Sequence, residues 1–86
     1  MHEMSVAVEV CRLAEAHVGA GAAGEIVAVG LEVGDESGVE PDNLEFCLGV
    51  LLGAPPFRGA KVSMRRTPGT SLRLEYIEVD DERESH

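Results

Sequence analysis

The residues best suited to chemistry stand at the start of the chain: Met1, His2 and Glu3. A histidine in second place sets its imidazole beside the free α-amine. The amine, the amide nitrogens of His2 and Glu3, and a ring nitrogen of His2 can then close around one ion. Four nitrogens in a plane suit Ni(II) or Cu(II), whereas Zn(II) prefers a tetrahedron. His2 is too bulky for the usual trimming of an initiator methionine, so Met1 and its amine are expected to persist. Many chains carry a second-position histidine by chance. The weight of the site therefore depends on what the other residues must build around it.

Other reactive side chains have plainer readings. Cys11 and Cys47 are the only cysteines, far apart and without CxxC spacing; they read as small buried hydrophobes, and neither forms a zinc site. His17 falls near a helix C-terminus, where an imidazole meets the negative end of the dipole. His86 belongs to an acidic tail. Asp35, Glu36, Glu40 and Asp42 read as a solvated, helix-capping acidic turn, and Arg65 and Arg66 as solvent-facing charges. No GxSxG, HExxH, phosphate loop or paired-carboxylate setting is present, so an enzyme is not expected.

The elements that must position the first three residues follow from periodicity. Met4, Ala7, Val8, Cys11, Ala14 and Val18 recur at three- and four-residue steps, which predicts a helix over 4–18, capped by Ser5 or favoured by Glu3 at its positive end. The glycine-rich stretch 19–24 ends it. Over 25–33 the period becomes two: Val27, Val29, Leu31 and Val33 share one face, and Ala28, Gly30 and Glu32 the other, as in a strand covered on one side. Pro41 suits the first position of a second helix, with Asp42 and Glu45 near its start and Leu44, Cys47, Leu48 and Leu51 as its buried stripe. Gly53 and Pro55-Pro56 stop it. A strand over 60–66 buries Val62 and Met64. Residues 65–70 read as a tight hairpin with Pro68 and Gly69 at the centre of a type II turn. The last strand, 72–79, slips in phase between Leu74 and Ile77, which signals a bulge or an edge.

The expected fold is α+β, in the order helix-strand-helix-strand-strand: a three-stranded sheet with both helices packed on its one apolar face. Residues 1–80 form a single domain and 81–86 a disordered acidic tail. With 86 residues and only Phe46, Phe57 and Tyr76 as aromatics, the core must be aliphatic. A formal charge of −9 argues against nucleic acid as a partner and favours cations and basic surfaces. No apolar run reaches the length of a membrane span, and the acidic start is unlike a signal peptide, so a cytoplasmic protein is expected.

Several of these pieces occur together in one known family. MHE followed by an apolar helix, then VAVGLEVGDESGVEPDNLEF, then LRLEYIEVDD over 72–81, resembles the HypA/HybF family of hydrogenase maturation proteins across nearly the whole chain. The resemblance implies a non-catalytic metallochaperone that hands Ni(II) to the hydrogenase large subunit with a HypB-like GTPase, and in some organisms to urease. It implies that the amine of Met1, His2 and the backbone at Glu3 bind nickel. It also marks a departure: the family's zinc loop, with two CxxC motifs between the last two strands, has no counterpart in 65–70, so zinc is not expected. A second reading is a metal-free interaction module that docks on a hydrogenase subunit or the GTPase. A third is a homo-oligomer that exchanges its first helix through the glycine-rich linker.

Overall fold

The computed structural model describes residues 3–19 and 21–80. Met1, His2, Ala20 and the expected tail, 81–86, lie outside the described residues. The elements are α1 (Glu3–Val18), a short 3-10 turn (Ala23–Glu25), β1 (Ile26–Gly34), α2 (Pro41–Leu52), β2 (Lys61–Thr67) and β3 (Leu72–Val79). This is the expected α+β order. No helix among the described residues is long and apolar enough to cross a membrane.

The sheet is mixed and runs β2-β1-β3, with β1 parallel to β2 and antiparallel to β3. The central position explains why β1 is the most apolar strand. Val29, Leu31 and Val33 are buried on the helix side, joined by Leu44, Leu48 and Leu52 from α2 and Ala7, Val10, Cys11 and Ala14 from α1. Burying each Leu, Ile or Val side chain contributes about 1.5–3 kcal/mol against chain entropy. The two helices pack on each other, and α2 lies against β2. An apolar groove of about 380 Å³ runs between α1 and β3, with Val6, Val10 and Leu13 on one wall and Leu72 and Leu74 on the other.

Several details depart from the sequence reading. Val27 is not in the core. The β1–β3 register shifts between Ile26 and Ala28, so Val27 points outward at 45% exposure and Ile26 takes the inward place. The stripe of α1 is rotated too: Val10 is buried while Met4 and Val8 are exposed. Ser5 does not cap this helix, because the helix already begins at Glu3. In α2, Leu52 is buried and Leu51 only partly so. The outer face of β1 is covered as well. The Tyr76 ring lies over Gly30, and buried Glu32 accepts from Arg73 Nε at 2.6 Å and Thr67 Oγ1 at 3.4 Å. The phase slip in the last strand is a bulge: Gly30 pairs with Tyr76 and Leu31 with Leu74, leaving Glu75 as the extra residue. It brings Leu72, Leu74, Ile77 and Val79 to the same half-buried face.

Residues 65–70 do not form a hairpin, because β2 and β3 flank β1 instead of pairing with each other. Their connection is a bridge across the end of β1. Gly34 N–H donates to Ser71 O (2.6 Å), Asp35 N–H to Thr67 O (2.8 Å) and Glu36 N–H to Gly69 O (2.8 Å). Gly69 turns the chain there with φ +94°, the left-handed value that the third position of a type II turn requires.

Candidate metal site

Of the three candidate ligands, the structure describes Glu3. It is the first residue of α1, where an N–H has no carbonyl four residues back to receive it. Its side chain reaches across to α2. Glu3 Oε2 accepts from the Glu40 backbone N–H at 3.0 Å, and Oε1 accepts from Asn43 Nδ2 at 2.9 Å. Glu40 is itself the N-cap of α2, its Oε1 accepting from the Asn43 N–H at 2.7 Å. One carboxylate thus fastens the opening turn of α1 to the opening turn of α2. The Glu40 N–H, then the Asn43 amide, then Glu3's own N–H hold its carboxyl below the ordinary value of 4.5, against a small opposing effect of burial.

The sign of this shift fixes a pH dependence. A carboxyl whose folded pKa lies below its unfolded one stabilises the fold above the unfolded value, and that contribution fades as pH falls through the folded value. We expect Glu3→Gln to lower the urea midpoint near neutral pH, with the gap to the wild type narrowing as pH falls through the carboxylate range. A gap that stays constant across that range would show that the charge contributes nothing. Glu9, beside Arg12, and Glu75, beside Arg65, are also held low, so an acid slope remains in the variant.

The remaining candidates are committed elsewhere. His17 is in the last turn of α1, about 21 Å along the axis from Glu3. Cys11 and Cys47 are free and buried, and burial pushes the Cys11 thiol up, as suits the packing role read from the sequence. Asp35 pairs with Arg66 at 3.4 Å. Arg65 is not a bare solvent charge: it pairs with Glu75 and lies 3.4 Å from Glu32. Among the described residues no group of three or more His, Cys, Asp and Glu side chains is placed to hold a metal ion.

Sequence reading missed the Glu3–Glu40–Asn43 clasp. Glu is a weak N-cap beside Ser, Thr, Asp and Asn, so the helix-start signals pointed to Asp42 and Glu45. The contacts also span 37 and 40 residues, far outside any local spacing rule. One cue was present: Glu40, Pro41 and Asn43 set a cap, a first-turn proline and an amide donor in succession.

A family model described as hydrogenase/urease nickel incorporation, metallochaperone, HypA matches residues 1–73. Hydrogenase maturation factor HypA of Geobacter metallireducens is 39% identical over 69 residues, covering 80% of this chain and 60% of the relative. The protein of the same name from Albidiferax ferrireducens is 35% identical over 79 residues, covering 92% and 70%. That from Streptomyces avermitilis is 37% identical over 70 residues, covering 80% and 53%. The chain therefore spans about three-fifths of the length of the first of these relatives. The match carries the opening triplet, both helices, β1 and β2 together, and on that basis the chain belongs to the HypA family of hydrogenase maturation factors.

Proposed function

We propose that this chain is a nickel-binding accessory protein that delivers Ni(II) from Met1, His2 and Glu3 during maturation of a nickel–iron hydrogenase. The amine of Met1, the amides of His2 and Glu3 and the His2 imidazole supply four nitrogens in a plane. The recipient is the hydrogenase large subunit, the working partner a HypB-like GTPase, and the route cytoplasmic. Nickel is cargo, so the site must release it as well as hold it.

One observation supports this assignment above the others. The Glu3 carboxylate is engaged by Glu40 and Asn43, while its N–H, with no carbonyl four residues back to receive it, turns only to its own carboxylate. Glu3 is thereby suited to offer its backbone nitrogen, not its side chain. The clasp also steadies the turn from which Met1 and His2 extend. Amide nitrogens bind Ni(II) only after losing their protons, so affinity rises with pH and binding releases protons.

The test is a nickel titration of the wild type, His2→Ala and a form extended before Met1. The wild type is expected to give a yellow, diamagnetic, one-to-one complex. The other two, one without the imidazole and the other with its Met1 amine turned into an amide, are expected to bind far more weakly. Equal affinity in all three forms would refute the site.

A further inference from the structure

The sheet ends on β3, whose outer edge has no strand beside it among the described residues. Such an edge offers a row of backbone N–H and C=O groups to any strand of matching pattern. The bulge at Glu75 gives β3 a pattern that reads the same from either end. Leu72 and Leu74 face the helices before it and Ile77 and Val79 after it, while the four residues between and beside them face outward. Two copies of this strand, laid antiparallel, keep all eight residues in phase in one register. Leu72 then meets Val79, Leu74 meets Ile77, Arg73 meets Glu78 and Glu75 meets Tyr76 of the second copy, and each pair occurs twice.

The match is chemical as well as geometric, since apolar residues meet apolar ones and each cation meets a carboxylate. Arg73 gives Nε to Glu32 at 2.6 Å, yet its side chain is 68% exposed, so the far end of the guanidinium stays open to Glu78. The apolar groove between α1 and β3 runs along this edge, where Leu13, 43% exposed, borders Leu72, Leu74 and Ile77. A second β3 would carry that apolar layer across the edge. The other edge strand, β2, is unsuited to this. It carries Lys61, Arg65 and Arg66 and no carboxylate, so two copies would oppose like charges. We propose that two copies of the chain join β3 to β3, fusing their sheets into one. Each α1 stays on its own sheet, which separates this contact from an exchange of the first helix. The charge of −9 on each chain opposes association at low salt, and physiological salt screens it beyond about 8 Å.

The test is sedimentation equilibrium of the metal-free full chain in physiological salt, at concentrations up to about 1 mM. The wild type is expected to show a monomer–dimer equilibrium. Glu78→Arg sets an arginine against Arg73 at both ends of the contact and should raise the dimer Kd about tenfold. Glu45→Arg, on α2, is the control. It changes the net charge by the same amount, so it should leave the Kd unchanged or lower it. Both positions are exposed, so the fold should persist, which circular dichroism checks. Amide hydrogen exchange should slow in β3, and not in β2, as concentration rises. A chain monomeric throughout, a Kd indifferent to Glu78→Arg, an equal rise in both variants, or slowing in β2 instead would each overturn the proposal. So would species growing beyond the dimer, because a two-fold contact closes on itself. None of these outcomes touches the nickel titration.

Discussion

Glu3→Pro is expected to abolish planar nickel binding while leaving α1 in place. Proline is well tolerated at the first helical position, where its missing N–H is not needed and its fixed φ suits the helix. Glu3 holds that position, so the substitution leaves a tertiary nitrogen with no proton to lose, which the helix tolerates and the proposed metal site does not. It also removes the carboxylate, so the informative comparison is with Glu3→Ala, which loses the clasp to Glu40 and Asn43 but keeps the amide. Glu3→Ala should bind Ni(II) with the same yellow spectrum and an affinity lower by about 10- to 100-fold, the usual cost of removing a supporting contact. Glu3→Pro should fall well below that and lose the spectrum. If the proline variant binds as the alanine variant does, the Glu3 nitrogen is not a ligand and the donor set must be redrawn.

Gly34→Ala should be the most damaging small substitution in the sheet. A Cβ there would lie 2.3 Å from Gly69 O and 2.7 Å from Ser71 N. Both are backbone atoms, and that backbone is tied down by the bonds from Gly34, Asp35 and Glu36. Nothing can swing aside; either the bridge lifts or the ladder opens. A loss of about 3 kcal/mol or more is expected, a large part of the roughly 4–13 kcal/mol available to a domain of this size. The melting temperature should fall by about 12 °C or more. Gly30→Ala is the matched control. Its Cβ would meet Tyr76 ring atoms at 2.0–2.5 Å, a nominally closer clash, but that side chain is 43% exposed and can rotate away. Its cost should stay near 1 kcal/mol. Thermal unfolding of the two variants side by side decides the matter: equal destabilisation would mean that the bridge yields as easily as the ring.

The sequence showed element order and type well, because two helical periods and one strict alternation leave little choice. Pro41 marked the start of α2 correctly, and the break between Leu74 and Ile77 announced the Glu75 bulge. What local pattern could not show was pairing. Nothing in 60–79 reveals that β2 and β3 sit on opposite sides of β1; proximity in sequence and a Pro-Gly pair spoke for a hairpin. The bulge at Val27 was hidden for a related reason. Val27 and Ile26 are both apolar, so an alternation rule cannot tell which one faces the core until the register with β3 is known. The same limit applies at the site. Met1-His2-Glu3 was legible as a set of nitrogens, but the employment of the Glu3 carboxylate depends on a tertiary contact with Glu40 and Asn43.

The bridge at the end of β1 gives the domain a splice point. In a hairpin the connecting turn sets strand register, so lengthening it disturbs the ladder on both sides. Here β2 and β3 each take their register from β1 alone, and the connection only has to bring Thr67 and Ser71 back to the amides of Asp35 and Gly34. Doubling such a segment costs only about 0.6 kcal/mol in closure entropy. The sheet can therefore carry a few residues or an entire accessory module at this socket without changing a single strand partner. Length at that point can vary independently of the fold that holds the first turn of α1.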